Sequence, residues 1–152
     1  MLIRRITRFD YAAVDRLLLQ LQQLDVQARP DMFAPMPHYM PRQAFENLLQ
    51  NDNVVAFLAK ERTEVVGCCF VSLLDSSAAT PHKTAYIDLL VVDEKHRHKG
   101  IGRALFAEVK KRAERFGAGK IELMVWSHNR IAQDAYRAYG MTPQRSIYEV
   151  SV

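Results

Sequence analysis

Residues 94–105 read EKHRHKGIGRAL, which sets Lys95, His96, Arg97, His98 and Lys99 directly before two glycines and the start of a helix-like pattern. A helix that begins right after a strand exposes unpaired backbone N–H groups and the positive end of its dipole, and so offers a site for an anion. Gly100 and Gly102 lack the Cβ atoms that would hold a phosphate away from that backbone. Arg97, His98, Lys99 and Arg103 add charge around the same point. Such a stretch suits a pyrophosphate or a group like it.

The charge of the chain is concentrated here. Of a net charge of +4, residues 95–120 carry +7 and the rest −3. A local positive zone fits a compact anionic ligand at least as well as a nucleic acid. Aromatic residues are not interleaved with it and no zinc or RNA-binding signature appears, so nucleic acid is not expected. His96 and His98 beside Glu94 lack further His or Cys at ligand spacing, and no metal is expected.

Three nucleotide motifs compete for the turn. A Walker loop needs its lysine after the glycines, and here Lys99 precedes them. A dinucleotide fingerprint needs a third glycine where Leu105 stands, although Glu122 lies near the distance of its acidic residue. The [QR]-x-x-G-x-[GA] signature is matched by Arg97, His98, Lys99, Gly100, Ile101 and Gly102. The plain alternative is a capped helix with a solvated basic edge.

The elements around the turn follow from periodicity. Residues 2–7 read as a strand, and Asp10 as the N-cap of a helix with Val14, Leu17, Leu18, Leu21 and Leu24 on one stripe, ending before Pro30. Pro41 opens a second helix carrying Phe45, Leu48 and Leu49. Residues 53–60, 65–74 and 83–92 read as strands with short, antiparallel connections. A helix over 100–116 closes on Gly117 and Gly119, then come a strand over 121–126, a helix over 129–139 stopped by Gly140, and a last strand over 147–152. The order β-α-α-β-β-β-α-β-α-β describes one α/β domain across residues 1–152, with a mixed, mostly antiparallel sheet, helices on both faces and a parallel crossover around residues 86–126.

With these elements in place, the chain resembles the GCN5-related N-acetyltransferases (GNAT family). AYIDLLVVDEKHR resembles the family's fourth strand, and NRIAQDAYRAYGM its N-x-x-A-x-x-x-Y-x-x-x-G-[FM] helix, with Asn129, Ala132, Tyr136 and Gly140 in place. The resemblance implies the GNAT fold and acetyl-CoA as cosubstrate. Leu90, Val91 and Val92 would hold the acetyl carbonyl and pantetheine by their backbones. Residues Arg97, His98, Lys99, Gly100, Ile101, Gly102 and Arg103 would take the pyrophosphate, and Asn129 with Ala132 the pantetheine arm. Tyr136 would protonate the coenzyme A sulfur, since a phenol with an ordinary pKa of about 10 is protonated at neutral pH. Tyr139 reads as core. Asp88 stands where the family often carries a Glu that accepts the amine's proton, with Glu122 or a water as substitutes. An acid among Ile87, Leu89 and Leu90 would be expensive as an unpartnered core residue, which favours a role in the site.

The acceptor side is carried by RPDMFAPMPHYMP, residues 29–41, a connection that lines the acceptor pocket in this family. Phe33, Tyr39, Met36 and Met40 could form an apolar wall, and Asp31 or His38 could meet a cationic amine. Equally, the loop could pack its methionines on the core. The expected activity is direct attack of a primary amine on the thioester, with a small-molecule amine as acceptor. A protein N-terminus or lysine is the runner-up, and a non-catalytic acyl-CoA sensor the reading from another class.

Composition agrees with a folded protein, being 49% apolar and 25% charged. No apolar stretch is long enough to cross a bilayer, and Met1 to Ile6 lacks a signal-like apolar region, so a cytoplasmic location without membrane partners is expected. Cys68 and Cys69 are neighbours and read as strand packing, one side chain inward and one outward. A covalent acetyl-cysteine route is disfavoured, because no basic neighbour lowers either thiol. The segment RSIYEVSV suggests a strand that pairs across a homodimer interface.

Overall fold

The computed structural model describes all residues 1–152. Five strands form one sheet in sequence order: β1 (Leu2–Arg5), β2 (Val54–Glu61), β3 (Glu64–Leu74), β4 (Thr84–Val92) and β5 (Lys120–Leu123). The first four pair antiparallel and β4 pairs parallel with β5, across the crossover helix α3 (Ile101–Phe116). Helices α1 (Tyr11–Ala28), α2 (Arg42–Gln50) and α4 (Arg130–Ala138) complete the α/β architecture.

Near-continuous apolar runs in β2 and β3 make sense because both sheet faces are covered. On one face, Phe57, Val66, Cys69, Val71 and Ile87 pack against Ile101, Leu105 and Val109 of α3. On the other, Leu58, Cys68 and Phe70 meet Val14, Leu17 and Leu18 of α1 and Phe45 of α2. Neither cysteine points outward, which corrects the sequence expectation: the side chains do alternate, but each alternation lands in a core. Burial pushes the Cys68 thiol up to about 12, and burial with the nearby Cys68 and Asp88 raises Cys69.

One expectation about an element end holds in position only, and another is corrected. Asp10 stands at the N-cap of α1, but its side chain makes no capping bond to that helix. Its carboxylate accepts from the Thr7 N–H at 2.8 Å and from both terminal nitrogens of Arg4 at 2.7 and 2.8 Å. Those Arg4 bonds, against the opposing effect of burial and helped by Thr7, bring its pKa down to about 2. The last strand does not form. Residues 147–152 make no backbone hydrogen bond and are exposed, with Ile147, Tyr148 and Val150 all more than four-fifths open. Strand propensity needs a paired edge to be realised, and this segment is anchored near its middle only by Glu149 to Arg29.

Candidate active site

Between β4 and β5 the sheet splits. The pairing runs from Thr84 with Lys120 to Ile87 with Leu123 and stops there. At the next residue β4 bulges against β3, because Phe70 pairs with Leu89 and Val71 with Ile87, leaving Asp88 unopposed. From Asp88 to Val92 the β4 edge away from β3 therefore has no strand partner, and its polar backbone faces an opening. Leu90, Val91 and Val92 all lie on this stretch, still registered on the other side with Cys69, Cys68 and Gly67.

The opening runs into the basic turn. Arg97 Nε donates to the Val92 carbonyl at 3.4 Å. His98 is left-handed at φ 61, and so is Gly100 at φ 82, where it serves as the N-cap of α3. Ala104 N–H bonds the Gly100 carbonyl, while the N–H groups of Ile101, Gly102 and Arg103 find no acceptor in the protein. Ile101 is buried under α3 and holds this end of the helix to the sheet. Three free amides at a helix start, under exposed His98, Lys99 and Arg103, form a seat for an anion.

Within the protein the two glycines have different reasons. A Cβ at Gly100 would meet nothing within 4 Å, and what glycine supplies there is the left-handed conformation. A Cβ at Gly102 would come 2.7 Å from Tyr139 Oη, so this glycine makes room for a tyrosine. Tyr139 stacks on Phe106 with ring centres 5.0 Å apart, and the Arg103 guanidinium lies over its ring at 5.4 Å. It packs against the core, as read.

From α4, Asn129 is the N-cap, and its Oδ1 accepts the Ala132 N–H at 3.2 Å. Both residues thus share a capping bond, which leaves the Asn129 side-chain NH2 without a protein acceptor. Tyr136 is half-buried, edge-on to Tyr139 at 6.3 Å. Burial first, then the neighbouring Cys69 and Tyr139, raise its phenol well above the ordinary value. Its hydroxyl makes no hydrogen bond within the protein.

Asp88 is exposed, not a core acid, and accepts a 2.6 Å bond from Ser72 Oγ on β3. Ser72 was not singled out by the sequence, since a serine two strands' length away carries no signal of its own. Glu122 is engaged by Lys120 at 2.6 Å and Gln144 at 2.8 Å, which hold its carboxyl below the usual range.

In the connection over residues 29–41, Phe33 meets Trp126 edge to face at 5.4 Å, and Trp126 stacks on His128 at 5.8 Å. Trp126 lies beyond the end of β5, in the loop before α4, rather than on the strand. His128 Nε2 is 2.8 Å from Asp25 Oδ1 of α1. Tyr39 packs on the α1 core with its N–H donating to Asp15, and burial, then Asp25, raise its phenol. Asp31 and His38 are exposed but each is engaged by a neighbour. Asp31 takes two bonds from Arg29, at 2.7 and 2.9 Å, which lower its pKa, and His38 Nδ1 lies 2.8 Å from Asp15. Met40 packs on the core while Met36 stays exposed.

No helix is long and apolar enough to cross a membrane. No curated protein matches the chain. Among solved structures, a tetramutant of the BH1408 protein from Bacillus halodurans superimposes with a TM-score of 0.96 at 28% identity, covering 100% of both chains. A ribosomal-protein-alanine N-acetyltransferase from Brucella melitensis shares the fold at TM-score 0.74 and 21% identity over 100% of both chains. An aminoglycoside acetyltransferase from an uncultured soil metagenomic sample does so at 0.72 and 20%, over 99% of this chain and 94% of its own. The model of the acetyltransferase (GNAT) family matches residues 19–141, which take in the split sheet, the basic turn and α4, and the chain belongs to that family.

Proposed function

We propose that residues 1–152 work as one acetyl-CoA-dependent N-acetyltransferase domain that passes the acetyl group directly to a primary amine. The observation that carries this reading is the split between β4 and β5, an unpaired strand edge that leads into three unpaired amides at the start of α3. Bound there, acetyl-CoA supplies an activated acetyl thioester. The donors present fit it: backbone of Leu90 to Val92 for the pantetheine and acetyl carbonyl, an arrangement of the oxyanion-hole type, and residues Arg97 to Arg103 for the pyrophosphate. Asn129 offers its free side-chain NH2 to the pantetheine arm.

Transfer joins the amine nitrogen to the acetyl carbon, breaks the carbon–sulfur bond and leaves a thiolate that needs a proton. Tyr136 is held protonated by burial, and its hydroxyl has no competing protein partner, which suits donation to sulfur. Asp88, exposed beside the split and oriented by Ser72, takes the amine's proton directly or through water. Glu122 is less suited, being already paired with Lys120.

Phe33 against Trp126, and Tyr39 on the α1 core, close the acceptor side with aromatic surface and favour a small-molecule amine over an extended protein segment. Asp31 is left out of that contact because Arg29 occupies it. The test is thiol release from acetyl-CoA over a panel of small amines and peptides. Turnover with small amines that is lost in Tyr136→Phe supports the reading. Tight acetyl-CoA binding with no turnover on any amine would favour a sensor instead.

A further inference from the structure

A second polar cluster lies behind the basic turn, outside the split. Asp93, only 2% exposed, accepts from Arg16 Nη1 at 3.1 Å and Gln20 Nε2 at 2.7 Å, and His96 Nδ1 sits 2.7 Å from its other oxygen. Its N–H donates to the Val66 carbonyl at 2.9 Å, and its carbonyl accepts the His96 N–H at 2.9 Å. Gln20 Oε1 accepts the Glu94 N–H at 3.0 Å, and Arg16 Nη2 donates to the Val65 carbonyl at 2.8 Å.

All of these bonds but the one from Arg16 to Val65, which ties the guanidinium to β3, involve residues 93–96, the stretch directly before Arg97. Helix α1 thereby grips the chain where it leaves β4, while Ile101 pins it again where α3 begins. Between the two grips lie the left-handed His98 and Gly100 and the exposed Lys99. A turn with that backbone holds one shape only if both ends are fixed. A buried carboxylate is a costly way to add stability alone, so its three donors are better understood as directional restraints. The donor atoms of Glu64, Asp93 and His96 also lie within 4.8 Å of one another, but Arg16 stands 3.1 Å from Asp93 and 3.9 Å from Glu64 and supplies the positive charge there itself.

We infer that Asp93, held by Arg16 and Gln20 of α1, is a positioning residue that sets the Arg97 to Arg103 turn for the pyrophosphate of the cosubstrate. The inference rests on the acetyl-CoA reading above and adds residues that touch no part of the ligand.

The test uses calorimetric affinities of the full chain for acetyl-CoA and for S-acetylpantetheine, which keeps the thioester arm and lacks the pyrophosphate. Asp93→Asn should weaken acetyl-CoA about tenfold, as expected for loss of a charge-assisted hydrogen bond. Its affinity for S-acetylpantetheine should stay within about twofold. Gln20→Ala, which leaves the carboxylate and Arg16 in place, should show the same selectivity at smaller size and covers the case of an unfolded Asp93 variant. Equal loss on both ligands, or no loss on either, overturns the inference while the parent's binding keeps the acetyl-CoA reading intact. A parent chain that binds no acetyl-CoA overturns both.

Discussion

The hydroxyl of Tyr139 fills the space where a side chain on Gly102 would begin, with 2.7 Å between Oη and the position of that Cβ. The ring cannot swing away cheaply, because it stacks on Phe106 and lies under Arg103. Gly102→Ala should therefore destabilise the fold by about 1–3 kcal/mol through overpacking, and Tyr139→Phe should restore most of the loss. Gly100→Ala should cost about 1 kcal/mol from its left-handed backbone, with no rescue by Tyr139→Phe. Urea unfolding of the three single variants and the two double variants with Tyr139→Phe checks this, and additivity between Gly102→Ala and Tyr139→Phe would contradict the contact.

Tyr136→Phe should lower kcat by about 10²-fold or more, the usual size of a lost general acid. Its melting temperature should stay close to the parent's, because the hydroxyl makes no bond within the protein. Since burial raises the phenol, the parent's rate should show no fall assignable to Tyr136 up to pH 10. A descending limb near pH 8 that disappears in Tyr136→Phe would count against the assignment.

Asp88→Asn should slow turnover about ten- to a hundredfold near neutral pH and recover part of the loss at high pH, where the amine arrives already deprotonated. Ser72→Ala should give a smaller loss of the same kind, by freeing the carboxylate it orients. Stability should move by no more than about 0.5 kcal/mol in Asp88→Asn, as for an exposed site. The pH–rate profiles decide, and a uniform loss at every pH would remove the base role.

If Phe33 and the Trp126 it packs on line the acceptor site as proposed, Phe33→Ala should raise KM for the amine and leave KM for acetyl-CoA unchanged. Steady-state kinetics with each substrate varied in turn gives the result. A change confined to acetyl-CoA would place this aromatic pair in the cosubstrate's path instead.

Acid stability should reflect Asp93. Burial alone would raise its carboxyl, but bonds from Gln20, His96 and Arg16 outweigh it and bring the pKa from 3.8 down to about 2. A folded-state pKa below the unfolded one means the contribution is full above about pH 4 and is lost as pH falls toward 2, and it amounts to roughly 2 kcal/mol. Asp93→Asn should flatten the fall in unfolding free energy between pH 4 and 2. An unchanged slope would show that the cluster is not held in solution.

Much of the framework was legible because its signals are local. The stripe from Val14 to Leu24, the apolar runs of β2 and β3 and the glycine turn before Ile101 each state their element within a few residues, and chain order did the rest. The final strand was misread for a related reason: Ile147, Tyr148, Val150 and Val152 carry strand propensity, but propensity does not supply an edge to pair with. The bonds from Arg29 to Asp31 were not legible, whereas the cost of burying Asp88 without a partner already argued against a core position, and its side chain is exposed.

By itself the sequence determined where five strands and four helices lie, that a basic turn opens α3 and that α4 carries Asn129 and Tyr136 in a recognisable register, since these depend on residue type and spacing along the chain. Only the tertiary structure decided that β4 parts from β5 at Asp88, that Gly102 accommodates Tyr139 and that Asp93 joins the turn to Arg16 and Gln20. Those relationships pair residues up to 77 positions apart, and such pairs are set by how the elements pack, which no local pattern encodes.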